Sequence, residues 1–324
     1  MLKNFWYAVE FSDVITSTPK RIKVLNQDLA IYRTETQQIV AMQNLCAHRG
    51  AALSGGRVKG ECIVCPYHGW EYQPDGICIN IPVNSPDTPI PHRAKVKVYE
   101  AQEKYGWVWL FMGEVPESER IPIPELPNFD DAKLKSLHGD FLWHTHYSRV
   151  MENALDVAHA PFVHAGSFGD KDRPQIAEFT VENHPTGAGA TVMVNASPPK
   201  GIWSFLASKK PSVIKTRTAF FLPNITVLEV NLVFGRLLIY SAHVPIDDQT
   251  TVSKWINLRS FFTGNWADAD ARKRVLKVFN QDKPIVESQH PKIVPYDLNE
   301  ELHVQSDALQ IEYRKMCGQF FKEE

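Results

Sequence analysis

No run in this sequence approaches the roughly 18 consecutive apolar residues of a membrane span. Its start, Met1 to Glu10, holds one lysine and a short aromatic run, without the long apolar core of a secretory leader. An excess of charge of one sign is missing too. Against 35 Lys+Arg stand 37 Asp+Glu, a net −2 that gives a polyanionic partner such as nucleic acid no footing. There is no repeat, no low-complexity tract and no Gly-rich nucleotide fingerprint, so a nicotinamide cofactor has no recognisable site of its own. Cysteine is scarce and odd in number, five in 324 residues. That count argues against a disulfide framework and suits the reducing cytoplasm. What remains is an ordinary globular composition, 44% hydrophobic and 22% charged, in a chain long enough for about two domains.

Two of the five cysteines sit in a pattern. Cys46-Ala47-His48-Arg49-Gly50 is followed, after fourteen residues, by Cys65-Pro66-Tyr67-His68-Gly69-Trp70. Two thiolates and two imidazoles in so short a span match the donor set of a Rieske [2Fe–2S] centre, with two Cys on one iron and two His on the other. Neutral His lowers the negative charge around such a cluster. Its potential therefore rises to roughly −150 to +300 mV, from about −400 mV for an all-Cys ferredoxin. A structural Cys2His2 zinc site is the competing assignment. Zinc sites usually open on two Cys and close on two His, whereas here each half carries one of each. Gly50 and Gly69 suit tight loops that bring backbone N–H groups towards the sulfides. Cys62, Cys78 and Cys317 are left over as buried thiols.

Around that motif the chain is dense in short β patterns. Residues 29–32, 38–42 and 105–110 read as strands, with Asp75-Gly76 as a hairpin turn. They predict a small antiparallel β domain over 1–115, with the cluster loops at one tip. Pro116, Pro122, Pro124 and Pro127 mark 116–128 as a linker. Beyond it, 129–324 mixes two periodicities. Ser148 is the expected cap of a helix that runs through Val150, Asn153, Val157 and His159 and is stopped by Pro161. Five β runs follow, over 190–196, 216–222, 225–230, 237–244 and 251–258. A long helix is expected over 267–289 and a shorter one from Ser306. The class is α+β: a curved antiparallel sheet with helices on one side.

The stretch Asn153-Ala154-Leu155-Asp156-Val157-Ala158-His159-Ala160-Pro161-Phe162-Val163-His164 sets four polar groups among small and apolar residues. With Pro161 ending the helix after His159, the chain is free to turn back and aim His164 at the same point. Two His and one carboxylate on one face of an iron form the facial triad of non-haem Fe(II) oxygenases, with the other face open to O2 and substrate. An isolated His pair is more often hydrogen-bonded core, but a one-electron donor upstream needs an acceptor. Val275, Phe279, Asp282, Val286 and Gln289 recur at three- and four-residue steps, which puts Asp282 on the inward face of its helix. An unpaired charge there costs several kcal/mol, and a metal ion removes that cost. Asp282 is the expected third ligand, with Pro284 loosening the helix around it. Glu287 points elsewhere, and capping accounts for Asp268 and Asp270. Asp156, beside a candidate ligand, has the place of a carboxylate that orients His159.

In these motifs the chain resembles the Rieske non-haem iron oxygenases, α-subunit type, over nearly its whole length. The resemblance rests on Cys46/His48/Cys65/His68, on Asn153-x2-Asp156-x2-His159-x4-His164 and on Asp282, in that order. It implies a Rieske domain followed by a helix-grip catalytic domain. It also implies a head-to-tail homotrimer, in which electrons pass from the cluster of one subunit to the iron of the next. The position matching Asp156 then bridges a cluster His, here His68, to an iron-ligand His, here His159, and Asn153 lies near the iron. Further likeness lies in Ser85-Pro86 through Pro91, Ala94-Lys95-Val96, Glu103-x-Tyr105-Gly106, Asp282-Lys283-Pro284-x-Val286-Glu287-Ser288-Gln289 and Tyr313-Arg314-Lys315. These are similar to the branch that includes N-demethylases of purine alkaloids and hydroxylases of guanidinium toxins.

The expected function is thus the oxygenase component of an O2- and NAD(P)H-dependent system that hydroxylates or oxidatively demethylates a small ring-containing substrate. Its cofactors are a [2Fe–2S] cluster and a mononuclear Fe(II), with electrons supplied by a separate reductase or ferredoxin. Aromatic-ring cis-dihydroxylation uses the same ligands and stays an alternative. So does, from another class, a Rieske electron carrier without a second iron. The substrate pocket is expected on the sheet after residue 190, from Phe205, Phe220, Leu222, Val230, Leu232 and Ile239. His243 is a candidate partner for a substrate heteroatom. Plain core packing is the competing account of each.

Overall fold

The structure, a computed structural model, describes residues 1–129, 131–165, 170–196 and 212–322. Two compact units divide the chain, Lys3–Ile123 and Pro124–Glu324. The first is all β, with three small antiparallel sheets. In spatial order they are Phe5–Phe11, Trp107–Met112, Ala101–Lys104; then Lys20–Val24, Gln27–Arg33, Ile39–Gln43, Val98–Tyr99; then Arg57–Lys59, Cys62–Val64, Glu71–Tyr72, Cys78–Asn80. Every residue from Trp107 to Met112 is buried, so the run shows no alternation. It begins two residues later than expected because Tyr105 and Gly106 both take positive φ, 57° and 70°, and form a turn. The Asp75-Gly76 turn is present, with Gly76 at φ 82°. Ile63, Tyr72, Met42 and Leu53 pack around Cys46 and Cys65 in one core.

The second unit holds one seven-stranded antiparallel sheet. Its order is Lys135–Trp143, Thr250–Arg259, Gly235–Asp247, Ile225–Leu232, Ser212–Phe221, Gly187–Ala196, Val181–His184. The helices among the described residues are α1, Tyr147–Leu155; α2, Ala160–Val163; α3, Asp268–Val286; and α4, Ala308–Lys322. Helix α1 lies on one face of the sheet, where Thr218 Oγ1 donates to the Ala154 carbonyl at 3.1 Å. Val150 of α1 packs with Trp143 and with Val286 of α3, and Tyr313 of α4 meets Phe220 edge-on at 5.4 Å. Strand register puts Phe220, Val230, Ile239 and His243 on that same helix-covered face.

Local expectations around α1 need correction. His146, not Ser148, is the cap: its Nδ1 accepts from the Ser148 backbone N–H at 3.3 Å. Ser148 lies inside the first turn, and its hydroxyl accepts from Val294 N instead. The helix ends at Leu155, so Val157 and His159 lie beyond it. Pro161 does not stop α1; it sits in the first turn of α2, where a missing N–H is no loss. Asp268 and Asp270 do not cap α3 either. Ala267 is its N-cap, while Asp268 pairs with Arg259 and Asp270 with Arg274. Strands Lys135–Trp143 and Val181–His184 had no expected counterpart, since most of their residues are polar or only half-buried.

Two buried polar assemblies fix the helices and the sheet register. In the first, Glu152 of α1 receives Arg314 of α4 at 2.5 Å and Arg149 at 3.3 Å, Arg149 reaches Glu301 at 2.7 Å, and Arg314 also pairs with Glu301. Both arginines are only 3% exposed. Burial raises the Glu152 carboxyl despite Arg314. Burial works in the same direction on Glu301, yet the hydrogen bonds from Arg149 and Arg314 hold it down at about 2. In the second, Trp143 Nε1 donates to Ser253 Oγ at 2.8 Å. Ser253 Oγ is 2.7 Å from His243 Nδ1, and His243 Nε2 is 2.8 Å from Thr226 Oγ1. Burial pushes His243 down to about 3 and His146 to about 4.

Glu152→Ala removes one of the two carboxylates that face two buried guanidinium groups and is expected to cost about 3 kcal/mol, read from the urea midpoint at pH 7. Acid should weaken the fold through the two imidazoles. They stay neutral when folded but bind protons near 6.5 once unfolded, so their stability is present above about pH 6.5 and lost as pH falls below it. The expected slope is about 1.4 kcal/mol per pH unit for each His. Urea unfolding followed from pH 7 to 5 checks it, and His243→Gln should remove one proton's share of the slope.

Candidate metal centres

The two Cys-His loops close alike despite their different spacing. Gly50 N donates to the Cys46 carbonyl at 2.9 Å and Gly69 N to the Cys65 carbonyl at 3.1 Å. In return Cys46 N donates to Ala51 O and Cys65 N to Trp70 O. Each closure turns at a glycine with φ 71°, a conformation that strains any residue carrying a Cβ. Cys46 and Cys65 are buried, whereas His48 and His68 are half-buried. The two imidazoles meet Nδ1 to Nδ1 at 3.2 Å, and the Cys65 thiol meets Cys46 together with the backbone N–H groups of Tyr67 and His68. A single zinc ion would draw all four donors to within about 4 Å of one another. Among the described residues, however, no three of these four donors lie within 4.8 Å of one another. Two nitrogens gather at one point and two sulfurs at another, which suits a two-iron cluster and not one ion.

The surroundings of this set are aromatic. His48 stacks on Trp70, 4.7 Å between ring centres and 5° from parallel. Tyr72 OH accepts from Ala47 N at 3.2 Å and lies 3.1 Å from Cys46 Sγ. Burial, then Cys46, raises the Tyr72 hydroxyl far above its usual range, so it stays protonated.

In the second unit, the break between α1 and α2 makes the other centre. Asp156 is the C-cap of α1, and His159 is the N-cap of α2. One turn of α2 then separates His159 from His164. Their Nε2 atoms are 3.2 Å apart, and Asp282 Oδ1 of α3 stands 3.5 Å from the first and 3.1 Å from the second. An octahedral ion with bonds of about 2.1 Å holds neighbouring ligands roughly 3 Å apart, so three donors on one face have this spacing. His164 is 1% exposed and Asp282 4%. Asp282 Oδ1 is buried without a hydrogen bond, a state that costs a carboxylate several kcal/mol unless a cation faces it. The residues fit a ferrous ion: His159 Nε2, His164 Nε2 and Asp282 Oδ1 would hold it. Asp156 Oδ2 lies 3.5 Å from His159 Nδ1, while its Oδ1 accepts from Ala158 N at 2.6 Å. Burial alone lowers the His159 imidazole; hydrogen bonding and charge from Asp156, then Asp282, more than reverse this and raise it.

The remaining candidates separate clearly. Asn153 is half-buried, and its backbone carbonyl accepts from Asp156 N. Phe220 and Leu222 are fully enclosed, Val230, Leu232 and Ile239 keep partial exposure, and Phe205 lies outside the described residues. His243 has both ring nitrogens engaged by Ser253 and Thr226, so it belongs to the core and not to a substrate contact. Pro284 does not end α3, which runs on to Val286. Just after Asp282, Lys283 donates to the Leu142 carbonyl at 2.7 Å and Glu287 accepts from His144 N at 2.6 Å. Sequence reasoning missed Gln281, whose Oε1 lies 3.1 Å from His164 Nδ1. A polar residue next to an inward carboxylate was the only available signal.

Tyr72→Phe removes the hydroxyl 3.1 Å from Cys46 Sγ, a hydrogen bond to the cluster this donor set would hold. At about 1 kcal/mol net, the expected fall in reduction potential is about 40 mV, measured by spectroelectrochemical titration.

Comparison with known proteins places each unit in a family. Residues 5–100 match the Rieske [2Fe-2S] domain, and residues 143–323 match the vanillate O-demethylase oxygenase C-terminal domain. Methylxanthine N1-demethylase NdmA of Pseudomonas putida is 30% identical over 97% of this chain and 88% of its own length. Methylxanthine N3-demethylase NdmB of the same organism is 28% identical over the same shares. The solved structure of NdmA superposes with a TM-score of 0.78 at 27% identity, covering 96% of this chain and 88% of that one. Dicamba monooxygenase bound to 3,6-dichlorosalicylic acid, at 19% identity, shares the fold with a TM-score of 0.85 over 100% of this chain and 98% of the other. Matched over 97% of its length, with a Rieske donor set in one unit and a two-His-one-Asp site in the other, the chain belongs to the Rieske oxygenases, oxidoreductases that incorporate O2.

Proposed function

We propose that this chain is the oxygenase component of a monooxygenase system that hydroxylates or oxidatively demethylates a small ring-containing substrate. Electrons arrive singly from NAD(P)H through a separate reductase or ferredoxin. One observation carries the reading: a buried carboxylate oxygen without a hydrogen bond faces two imidazoles in a chain that also holds a Rieske donor set. When bound, the cluster supplies one-electron transfer and the iron supplies O2 activation for attack on a C–H bond. His159, His164 and Asp282 would hold that iron, and Val230, Leu232 and Ile239, half-buried on the helix-covered sheet face, offer apolar walls for a ring. A hydroxylated carbon attached to N or O collapses with loss of formaldehyde. The whole-chain likeness to two methylxanthine N-demethylases favours that outcome, on an N-methyl heteroaromatic, over ring cis-dihydroxylation. Cys62, Cys78 and Cys317, outside the cluster donor set and outside any disulfide, suit the cytoplasm.

Asp156 has a second part in this reading. Its side chain is 30% exposed while it faces His159, which leaves it able to accept a further hydrogen bond. In a head-to-tail homotrimer that donor is His68 of the partner subunit.

Anaerobically loaded protein should contain three iron atoms per chain, two from the cluster and one from the triad; two alone would mean an electron carrier. With a surrogate reductase, a panel of N-methyl and O-methyl ring compounds should reveal substrate-stimulated NADH use with formaldehyde release. A fully loaded enzyme that releases none from any member would count against demethylation. Asp156→Asn should keep all three irons and lose on the order of 100-fold in turnover. Normal turnover would exclude the bridging part.

A further inference from the structure

His164 is the most enclosed of the three candidate ligands, and consecutive residues of α3 meet both of its ring nitrogens. Asp282 Oδ1 stands 3.1 Å from Nε2, and Gln281 Oε1 stands 3.1 Å from Nδ1. Neighbours on a helix project about 100° apart. For both to reach one imidazole, the ring must lie across the helix, edge towards it. An amide oxygen only accepts, so the His164 proton belongs on Nδ1 and Nε2 is left with a bare lone pair. That is the tautomer a metal requires.

His159 is held differently. Its Nδ1 faces Asp156 Oδ2 at the longer distance of 3.5 Å. One imidazole thus meets a neutral amide at 3.1 Å and the other a carboxylate at 3.5 Å. We propose that Gln281 is a positioning residue that fixes the tautomer and orientation of His164, making it the anchoring imidazole of the iron site. The inference rests on the reading of His159, His164 and Asp282 as iron ligands. It goes beyond that reading by assigning a distinct part to a residue that binds no metal.

The test uses the full chain with its cluster assembled, depleted of the mononuclear ion by a chelator and titrated anaerobically with Co(II). Wild type should take up one ion, lost in Asp282→Ala. Gln281→Leu should bind ten- to a hundredfold more weakly, the usual effect of losing a ligand's hydrogen-bond partner, and its Co(II) ligand-field bands should change. Gln281→Glu keeps an acceptor oxygen on the same stem and should stay within a few-fold of wild type. Cluster absorbance, unchanged in each, reports that the chain is folded. Gln281→Leu within twofold of wild type and with unaltered bands overturns the inference, as does equal loss in the Leu and Glu variants. Wild type that binds no ion dependent on Asp282 removes the reading of the iron site itself, and the inference with it.

Discussion

A carboxylate oxygen buried without a donor is the constraint on which the catalytic unit depends. Asp282 is 4% exposed, and what it faces is two imidazole nitrogens 3.1 and 3.5 Å away. Such a group is tolerable only with a cation in front of it. Its position must therefore be held by something other than its own contacts, and both ends of α3 are tied down. At the start, Asp268 pairs with Arg259 on the sheet. At the end, Lys283 and Glu287 bond backbone groups of Leu142 and His144 beside the edge strand Lys135–Trp143. The run Asp282-Lys283-Pro284-Ile285-Val286-Glu287 is thus one ligand plus the two side chains that pin its helix.

The imidazoles arrive from the opposite side by a separate anchorage. Helix α1 is bonded to the sheet through Thr218 and to α4 and the 291–301 segment through the Arg149/Glu152/Glu301/Arg314 ring. It ends one residue before Asp156, and the next turn carries His159 and His164. A buried ring of two cations and two anions is weak evidence of extra stability, because desolvation offsets much of the attraction. Its worth here lies in geometry. It allows α1 one position over the sheet, and with it one position for the two histidines.

The local chemistry of this protein was legible in its sequence where it depends on neighbours along the chain. Cys46 to Trp70 is such a case: two loops, each closed onto its own cysteine, need little from the rest of the fold. Asp282 was found by periodicity because α3 is long enough to show which face is inward. The course of α1 was misjudged because the competing signals are tertiary. His146 caps it although Ser148 is the commoner cap residue, since the Ser148 hydroxyl is taken by Val294. Pro161 opens a helix or closes one with equal ease on paper, and the end of α1 at Leu155 leaves it to open α2. Gln281 was invisible for a related reason: its partner lies 117 residues away, at His164. Strand Lys135–Trp143 hides behind its own composition, with Lys135, His138 and Asp140 on an edge that keeps much of its water.

The two centres use opposite nitrogens of histidine, and the choice matches what each must do. His48 and His68 meet through Nδ1 while the two residues remain half-buried. A cluster held there and exchanging electrons with other proteins would need ligands that are not fully enclosed. His159 and His164 converge through Nε2, and their Nδ1 atoms turn inward to Asp156 and Gln281. Here the spare nitrogen is occupied by the protein itself, which fixes the ring and adjusts its basicity. Of the two partners Asp156 is not fully enclosed: its side chain is 30% exposed while it faces His159 Nδ1.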